Sequence, residues 1–163
     1  MSDIEKLLGL IDGADRIVFF GGAGVSTESG IPDFRSEAGL YNAKKVFGRS
    51  PEGIISHTFF LHDPDTFFHY YKTQMIFPGA EPNDAHKALA KLEASGKNIK
   101  IVTQNIDGLH QMAGSKEVYE LHGSIHRNYC IKCGAKYDLD YVLDEKNCVD
   151  PDGETTYVPY CSL

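Results

Sequence analysis

The spacing of apolar residues changes several times along the chain, and each change marks an element. Ile4, Leu7, Leu8 and Ile11 recur at helical intervals behind Ser2 and Glu5, which read as a capping box; Gly13 is placed to close that helix. Ile17 to Phe20 form a short apolar run, the mark of a buried strand, and lead into Gly21-Gly22-Ala23-Gly24. Ser26, Thr27, Glu28 and Ser29 then look like a helix opening. Asp63-Pro64 is a cap followed by proline at the first helical position, and Phe67, Phe68, Tyr71 and Met75 share the following face. From Asn83 a further helix carries Ala85, Ala88, Leu89 and Leu92 and ends near Gly96. Ile99 to Thr103 and Val118 to Leu121 are two more short strands. Strands alternating with helices predict an α/β fold with a Rossmann-like parallel sheet.

Two stretches break this rhythm. Residues 32–50 have no clean period and are rich in turn formers, which predicts a functional loop. From Arg127 onward Cys, Tyr, Asp and Gly replace periodic apolar residues, which predicts a small module with a staple of its own. The expected organisation is therefore 1–125, with the loop 32–50 and the helical segment 51–80, and then a partial zinc-binding module over 126–163.

Composition narrows the class. A 42% hydrophobic and 24% charged chain of 163 residues can build an ordinary globular core. A formal charge of −7 speaks against non-specific nucleic-acid binding. No apolar run reaches the roughly 18 residues of a membrane span, and the N-terminus lacks the pattern of a secretory signal. Four cysteines with one C-x-x-C pair then point to metal or redox chemistry in a cytoplasmic setting.

The candidate chemistry gathers at predicted strand ends. Gly22, Ala23 and Gly24 permit close backbone approach to a phosphate ahead of a helix N-terminus. The pattern reads G-x-G-x-x-T to Thr27, without the third glycine or the ribose-binding acid of a hydride-transferring dehydrogenase. Gln104-Asn105-Ile106-Asp107 follows the second strand and would offer amides and a carboxylate to the same crevice; Asn105 and Asp107 capping the next helix is the competing reading. His110 lies a few residues into that helix with no assigned role. His122 follows the third strand, and an imidazole there can take a proton near neutral pH. His57, His62, His69, His86 and His126 read as structural or exposed. Cys130-Ile131-Lys132-Cys133-Gly134 has the form of a zinc knuckle. Cys161 is half of another, and Cys148 lies in a setting unlike a knuckle.

These pieces together resemble the sirtuins, NAD-dependent protein-lysine deacylases, in a compact bacterial style. The resemblance rests on Gly22–Ser26, Gly30–Arg35, Thr103–His110, His122-Gly123 and the Cys130/Cys133 pair, in order and in register, and covers residues from about 14 to 163. It implies NAD as co-substrate and acyl-lysine proteins as partners. Gly22, Ala23, Gly24 and Thr27 would serve the phosphate turn, with Asp33, Phe34 and Arg35 at the start of the cofactor loop. Gln104, Asn105, Ile106 and Asp107 would line the ribose and nicotinamide pockets. His122 would be the general base, also beside the cofactor, and Cys130, Cys133 and Cys161 would bind structural zinc. The implied reaction joins the acyl-lysine amide oxygen to the ribose carbon as nicotinamide leaves. It ends in O-acyl-ADP-ribose and free lysine. A non-catalytic zinc- and NAD-binding protein and a mono-ADP-ribosyltransferase are the alternatives. The family pattern continues past these motifs to a fourth zinc cysteine, adenine contacts and a peptide clamp. The chain is therefore expected to be a truncated N-terminal portion, with the C-terminal Rossmann half absent and no activity on its own.

Overall fold

The computed structural model describes residues 2–33 and 43–162. In chain order the elements are α1 (Asp3–Gly13), β1 (Arg16–Gly21), α2 (Pro51–Ile54), α3 (His57–His62), α4 (Pro64–Tyr70), α5 (Asp84–Ala94), β2 (Asn98–Thr103), α6 (Leu109–Met112), β3 (Val118–Glu120), β4 (Asn128–Tyr129), β5 (Lys136–Tyr137) and α7 (Leu139–Leu143). They divide into two compact units, Met1–Gly30 with Ala80–His122, and Ile31–Gly79 with Gly123–Leu163. This groups the helical segment after residue 50 with the cysteine segment, whereas the sequence groups it with the strands that precede it.

The first unit is the α/β body. Its sheet is parallel in the order β1-β2-β3. β1 and β2 pair from Arg16 opposite Asn98 to Gly21 opposite Thr103, so their carboxyl ends are level. β2 buries Ile99, Ile101 and Thr103 on one face. The apolar run of β1 is not buried throughout: Val18 and Phe20 are 68% and 62% exposed. Alternation along a pleated strand sends these two to the opposite face from Ile17 and Phe19.

The capping box of α1 forms as its sequence predicts, with Ser2 Oγ accepting from Glu5 N–H and the Glu5 carboxylate accepting from Ser2 N–H. The helix buries no residue, although its apolar stripe is present. Gly13 is the last helical residue and does not cap it. The end is held instead by Lys97, whose ammonium donates to the carbonyls of Ile11, Asp12 and Ala14 at 2.9, 2.8 and 3.4 Å. A cation there satisfies carbonyls that have no helical partner and opposes the negative end of the helix dipole.

α5 begins at the expected Asn83 cap, but its inward face is offset from the one the alanines suggest. Ala85 and Ala88 are exposed, and the buried residues are His86 and Ala90. The shift has a local cause: Asn83 engages His86 as the third residue of a capping box and fixes the helix by that side chain.

The second unit packs Ala43, Ile54, Phe59 and Tyr70 with Phe47, Ile55, Phe67 and Met75 around them. Asp63 caps α4 as its sequence predicts, accepting from Thr66 N–H. Past Tyr70 the backbone widens into a π turn over Tyr71–Met75. This segment is tied to the cysteine-bearing part by the Asp65 carboxylate, which accepts from Tyr157 N–H at 2.7 Å. His69 stacks on Tyr157 at 4.1 Å, and Lys72 Nζ donates to Cys148 Sγ at 2.9 Å.

Replacing Lys97 with methionine keeps the aliphatic stem and removes all three carbonyl contacts. We expect a loss of about 1–2 kcal/mol, read as a lower urea midpoint at unchanged slope. An unchanged midpoint would show that water replaces the ammonium without cost.

Candidate functional site

The level carboxyl ends of β1 and β2 bring two sequence motifs together. Gln104 N–H donates to Gly21 O at 3.0 Å, continuing the ladder one residue beyond β2. Thr103 is used twice: its carbonyl accepts from Leu121 N–H at 2.9 Å and its Oγ1 accepts from Asn105 N–H at 3.0 Å. The three strand ends are thereby locked to one another before any site residue is placed.

After Gly21 the chain does not enter an α-helix. Two 3₁₀ turns, Ala23–Val25 and Thr27–Ser29, take the place of the predicted opening. The expected helix opening behind the glycine turn is thus corrected to two 3₁₀ turns. Ser26 opens the second turn without a side-chain cap, its hydroxyl being engaged elsewhere. A Cβ on Gly21 would lie 2.7 Å from the Phe19 ring, so the strand must end in glycine there. Ala23 is half-buried and Gly24 exposed. Thr27, also exposed, donates its hydroxyl to Gly24 O.

Ser26 is fully buried and is the hub of the site. Its hydroxyl donates to Asp107 Oδ2 at 2.7 Å and accepts from Asn105 Nδ2 at 2.9 Å. Asp107 Oδ1 accepts from Leu109 N–H at 2.9 Å. Asp107 thus accepts from the first backbone N–H of the short helix α6, just ahead of which it lies, and holds Ser26 with its other oxygen. Gly108, at φ 75°, makes the turn that lets the carboxylate fold back on Leu109. The sequence shows Ser26 only as part of a helix opening; its separation of 81 positions from Asp107 hides the pairing.

His122 is exposed and lies beside this network through Gln104: its Nδ1 is 3.0 Å from the Gln104 carbonyl. A carbonyl can only accept, so Nδ1 carries the proton and, in the neutral ring, Nε2 carries the lone pair. Gln104 Oε1 is 3.5 Å from where a Cβ on Gly22 would be. Ile106 is half-buried. Asp33 is half-buried and belongs to the other compact unit; Phe34 and Arg35 lie outside the described residues.

Beneath Asp107 lie two histidines that periodicity does not single out. His86 and His110 are 0% and 1% exposed, with ring centroids 4.7 Å apart. Asn83 engages His86 Nδ1, while His86 Nε2 and both His110 nitrogens have no hydrogen-bond partner among the described residues. Burial, and then the His86 ring, push His110 down to about 4, against the opposing pull of Asp107. Burial lowers His86 as well. Both rings are therefore neutral at physiological pH.

In the second unit the sulfurs of Cys130, Cys133 and Cys161 lie within 4.8 Å of one another, with Cys133 and Cys161 at 3.5 Å. Thiolates around a tetrahedral zinc at about 2.3 Å are separated by just under 4 Å; the Cys133–Cys161 pair meets that spacing, and the three thiols are a donor set of the kind zinc takes. Gly134 N–H closes the knuckle turn onto Cys130 O, and Tyr137 Oη lies 3.0 Å from Cys161 Sγ. Cys148 is outside this group; it is buried and receives Lys72.

Comparison with known proteins agrees with this geometry. The Sir2 family model matches residues 22–161. The chain belongs to the Sir2 family. The NAD-dependent protein deacetylase of Clostridium perfringens is 59% identical over 143 residues, covering 88% of this chain and 59% of that protein. The one from Clostridium acetobutylicum is 57% identical over 149 residues, covering 91% and 61%. The chain thus spans about three-fifths of the length of these Sir2 relatives. Among solved Sir2 structures, a complex with p53 peptide and NAD⁺ superposes with a TM-score of 0.75 at 35% identity, over 99% of this chain and 65% of that one. A Sir2 structure with deacetylated p53 peptide and 3′-O-acetyl-ADP-ribose gives 0.77 at 36%, over 98% and 64%. Among the described residues, no helix is long and apolar enough to cross a membrane.

Two measurements follow from these sites. The unfolded chain takes up protons at His110 below about 6.5, whereas the folded chain resists until about 4. Stability is thus fully present above pH 6.5 and falls as pH drops through this window, by at most about 3 kcal/mol from His110. A His110→Gln chain is expected to show a shallower fall in urea midpoint between pH 7.5 and 5; an identical fall in both chains would contradict this. For the cysteines, atomic emission on purified variants should find zinc lost in Cys133→Ser and Cys161→Ser, and kept in Cys148→Ser.

Proposed function

We propose that this chain carries the proton-transfer and nicotinamide-side groups of an NAD-dependent protein-lysine deacylase, a cytoplasmic enzyme acting on acyl-lysine side chains of proteins. The observation that carries the reading is the orientation of His122. With Nδ1–H spent on the Gln104 carbonyl, Nε2 is left as a base at the same strand-end row that holds Ser26, Asn105 and Asp107. The names of the Clostridium relatives, and the NAD and acetyl-ADP-ribose held by the solved neighbours, support the same reading.

NAD, when bound, would supply an electrophilic ribose carbon and nicotinamide as leaving group. The residues then divide the work. The turn Gly22–Thr27 presents backbone to the diphosphate. Gln104, Asn105 and Ile106 line the ribose and nicotinamide side. Asp107 accepts from the carboxamide N–H₂, its position already fixed by Leu109 N–H and the Ser26 hydroxyl. His122 Nε2 takes the proton from a ribose hydroxyl, and a base of this kind contributes about 10²–10⁴-fold. Phe34 and Arg35 belong to the cofactor loop, where an aromatic ring would exclude water. Cys130, Cys133 and Cys161 would hold zinc as a structural staple, away from any proton transfer.

The test is nicotinamide release from NAD with an acetyl-lysine peptide. It is run on this chain alone and on this chain fused to the part of the Clostridium perfringens relative that it does not span. The fusion is expected to turn over. His122→Ala should lower its turnover by about 10²–10⁴-fold while NAD affinity stays within a few-fold. Absence of nicotinamide release from both proteins would overturn the reading.

A further inference from the structure

Cys161 reaches the Cys130/Cys133 knuckle from 28 positions beyond Cys133, so tertiary contacts must deliver it. The knuckle itself is a hairpin. β4 and β5 pair antiparallel, Asn128 opposite Tyr137 and Tyr129 opposite Lys136, and Cys130 N–H donates to Ala135 O at 2.8 Å. Tyr137 is the last residue of β5, so the hairpin that carries Cys130 and Cys133 fixes its place as well. Asp138 then caps α7, its carboxylate accepting from Tyr141 N–H at 2.9 Å. That puts Tyr141 about one helical turn beyond Tyr137, and the two ring centroids are 4.1 Å apart.

Both hydroxyls grip the segment that brings Cys161. Tyr141 Oη donates to Tyr160 O at 2.9 Å, while Tyr160 N–H donates to Asn147 O at 2.7 Å. On the other side of the cysteine, Ser162 N–H donates to Tyr137 Oη at 3.1 Å. The backbone is thus held immediately before and immediately after Cys161. Tyr137 goes further than Tyr141: its Oη also lies 3.0 Å from Cys161 Sγ and 3.2 Å from Ser162 Oγ.

The state of the sulfur decides the direction of these last two contacts. A thiol can donate to the phenol or accept from it. A metal-bound thiolate has no proton and can only accept. The phenol has one proton to give, and with Cys161 as thiolate that proton goes to Sγ. Ser162 Oγ then donates to the phenol oxygen, which has a lone pair left beside the one used by Ser162 N–H. A hydrogen bond to an ionised sulfur is stronger than the same bond to a thiol, so the contact gains strength when metal is held.

We propose that Tyr137 is the outer-shell donor to the Cys161 thiolate and so sets how tightly zinc is held, whereas Tyr141 positions the same segment through its backbone alone. The proposal rests on Cys130, Cys133 and Cys161 as zinc ligands, as read under Proposed function.

The experiment uses the chain loaded with cobalt(II), whose sulfur-to-metal charge-transfer band reads the electron density on the thiolates. Zinc affinity is measured alongside, by competition with a coloured chelator. Tyr137→Phe keeps the ring beside Tyr141 and removes only the hydroxyl. It is expected to weaken zinc binding by about 10–100-fold, the usual cost of losing an outer-shell partner. It should also move the band to lower energy, since a thiolate without its donor gives up electron density more readily. Tyr141→Phe should leave the band where it is, whatever the change in affinity. If Tyr137→Phe does not fold, uniform replacement of tyrosine by a ring-fluorinated tyrosine makes the phenol a stronger donor at nearly the same volume, and the band should then move to higher energy. A band that stays fixed in Tyr137→Phe, or under fluorination, would overturn the proposal even if zinc were held less tightly, because the tyrosine would then act on the backbone alone. A shift in Tyr141→Phe equal to that in Tyr137→Phe would overturn it too. Metal binding without the shift leaves the zinc reading standing and removes the proposal; an unaltered chain that binds neither cobalt nor zinc removes both.

Discussion

One carboxylate organises the α/β unit. Asp107 accepts at once from a hydroxyl that arrives after β1 and from the backbone that opens α6. Removing it would leave Ser26 Oγ, which is fully buried, with an unused proton, and Leu109 N–H without its cap. A buried donor stripped of its partner costs about 1–3 kcal/mol, more than the same bond gains net in forming. That asymmetry makes the contact a constraint rather than an ornament. The turn after β1, the amide of Asn105 and the placement of α6 all have to accommodate it.

The constraint also explains which features can be read in the sequence and which cannot. The strands, the Asp63 and Asn83 caps and the Ser2 box are local signals, written in a few consecutive residues, and they appear where the sequence puts them. The meeting of the glycine turn with Gln104–Asp107 is also legible, because parallel strands deliver their carboxyl ends to one edge. Burial is less legible. Val18 and Phe20 match a buried run in composition yet lie exposed, since period-two geometry assigns faces and hydrophobicity alone does not. The inner face of α5 was hidden for the opposite reason. A polar residue, His86, occupies the buried position that alanines seemed to claim.

Ser26, His86 and His110 show a second limit. Each is polar, each is almost completely buried, and each is recognisable only through a partner far along the chain or on another element. Sequence spacing reveals residues that act with their neighbours. It does not reveal residues whose environment is built by tertiary contact. Cys148, whose sequence setting is unlike a knuckle, stands apart from the other three cysteines and receives Lys72. Of the three cysteines that come together, Cys130 and Cys133 share a local turn closed by Gly134, and Cys161 joins them from 28 positions beyond Cys133.

The pairing of β1 with β2 carries a kinetic meaning. Arg16 finds Asn98, and Ser26 finds Asp107, only after a long intervening stretch has been brought round. Loop closure of that size must be met before any of these contacts gives a return, which places them late in folding. The helices α2, α3 and α4, consecutive in the chain, have no such delay. A nascent chain would therefore acquire these three helices and its capped α1 well before the strand ends meet. A ligand that engaged the strand ends would report completion of folding rather than its progress.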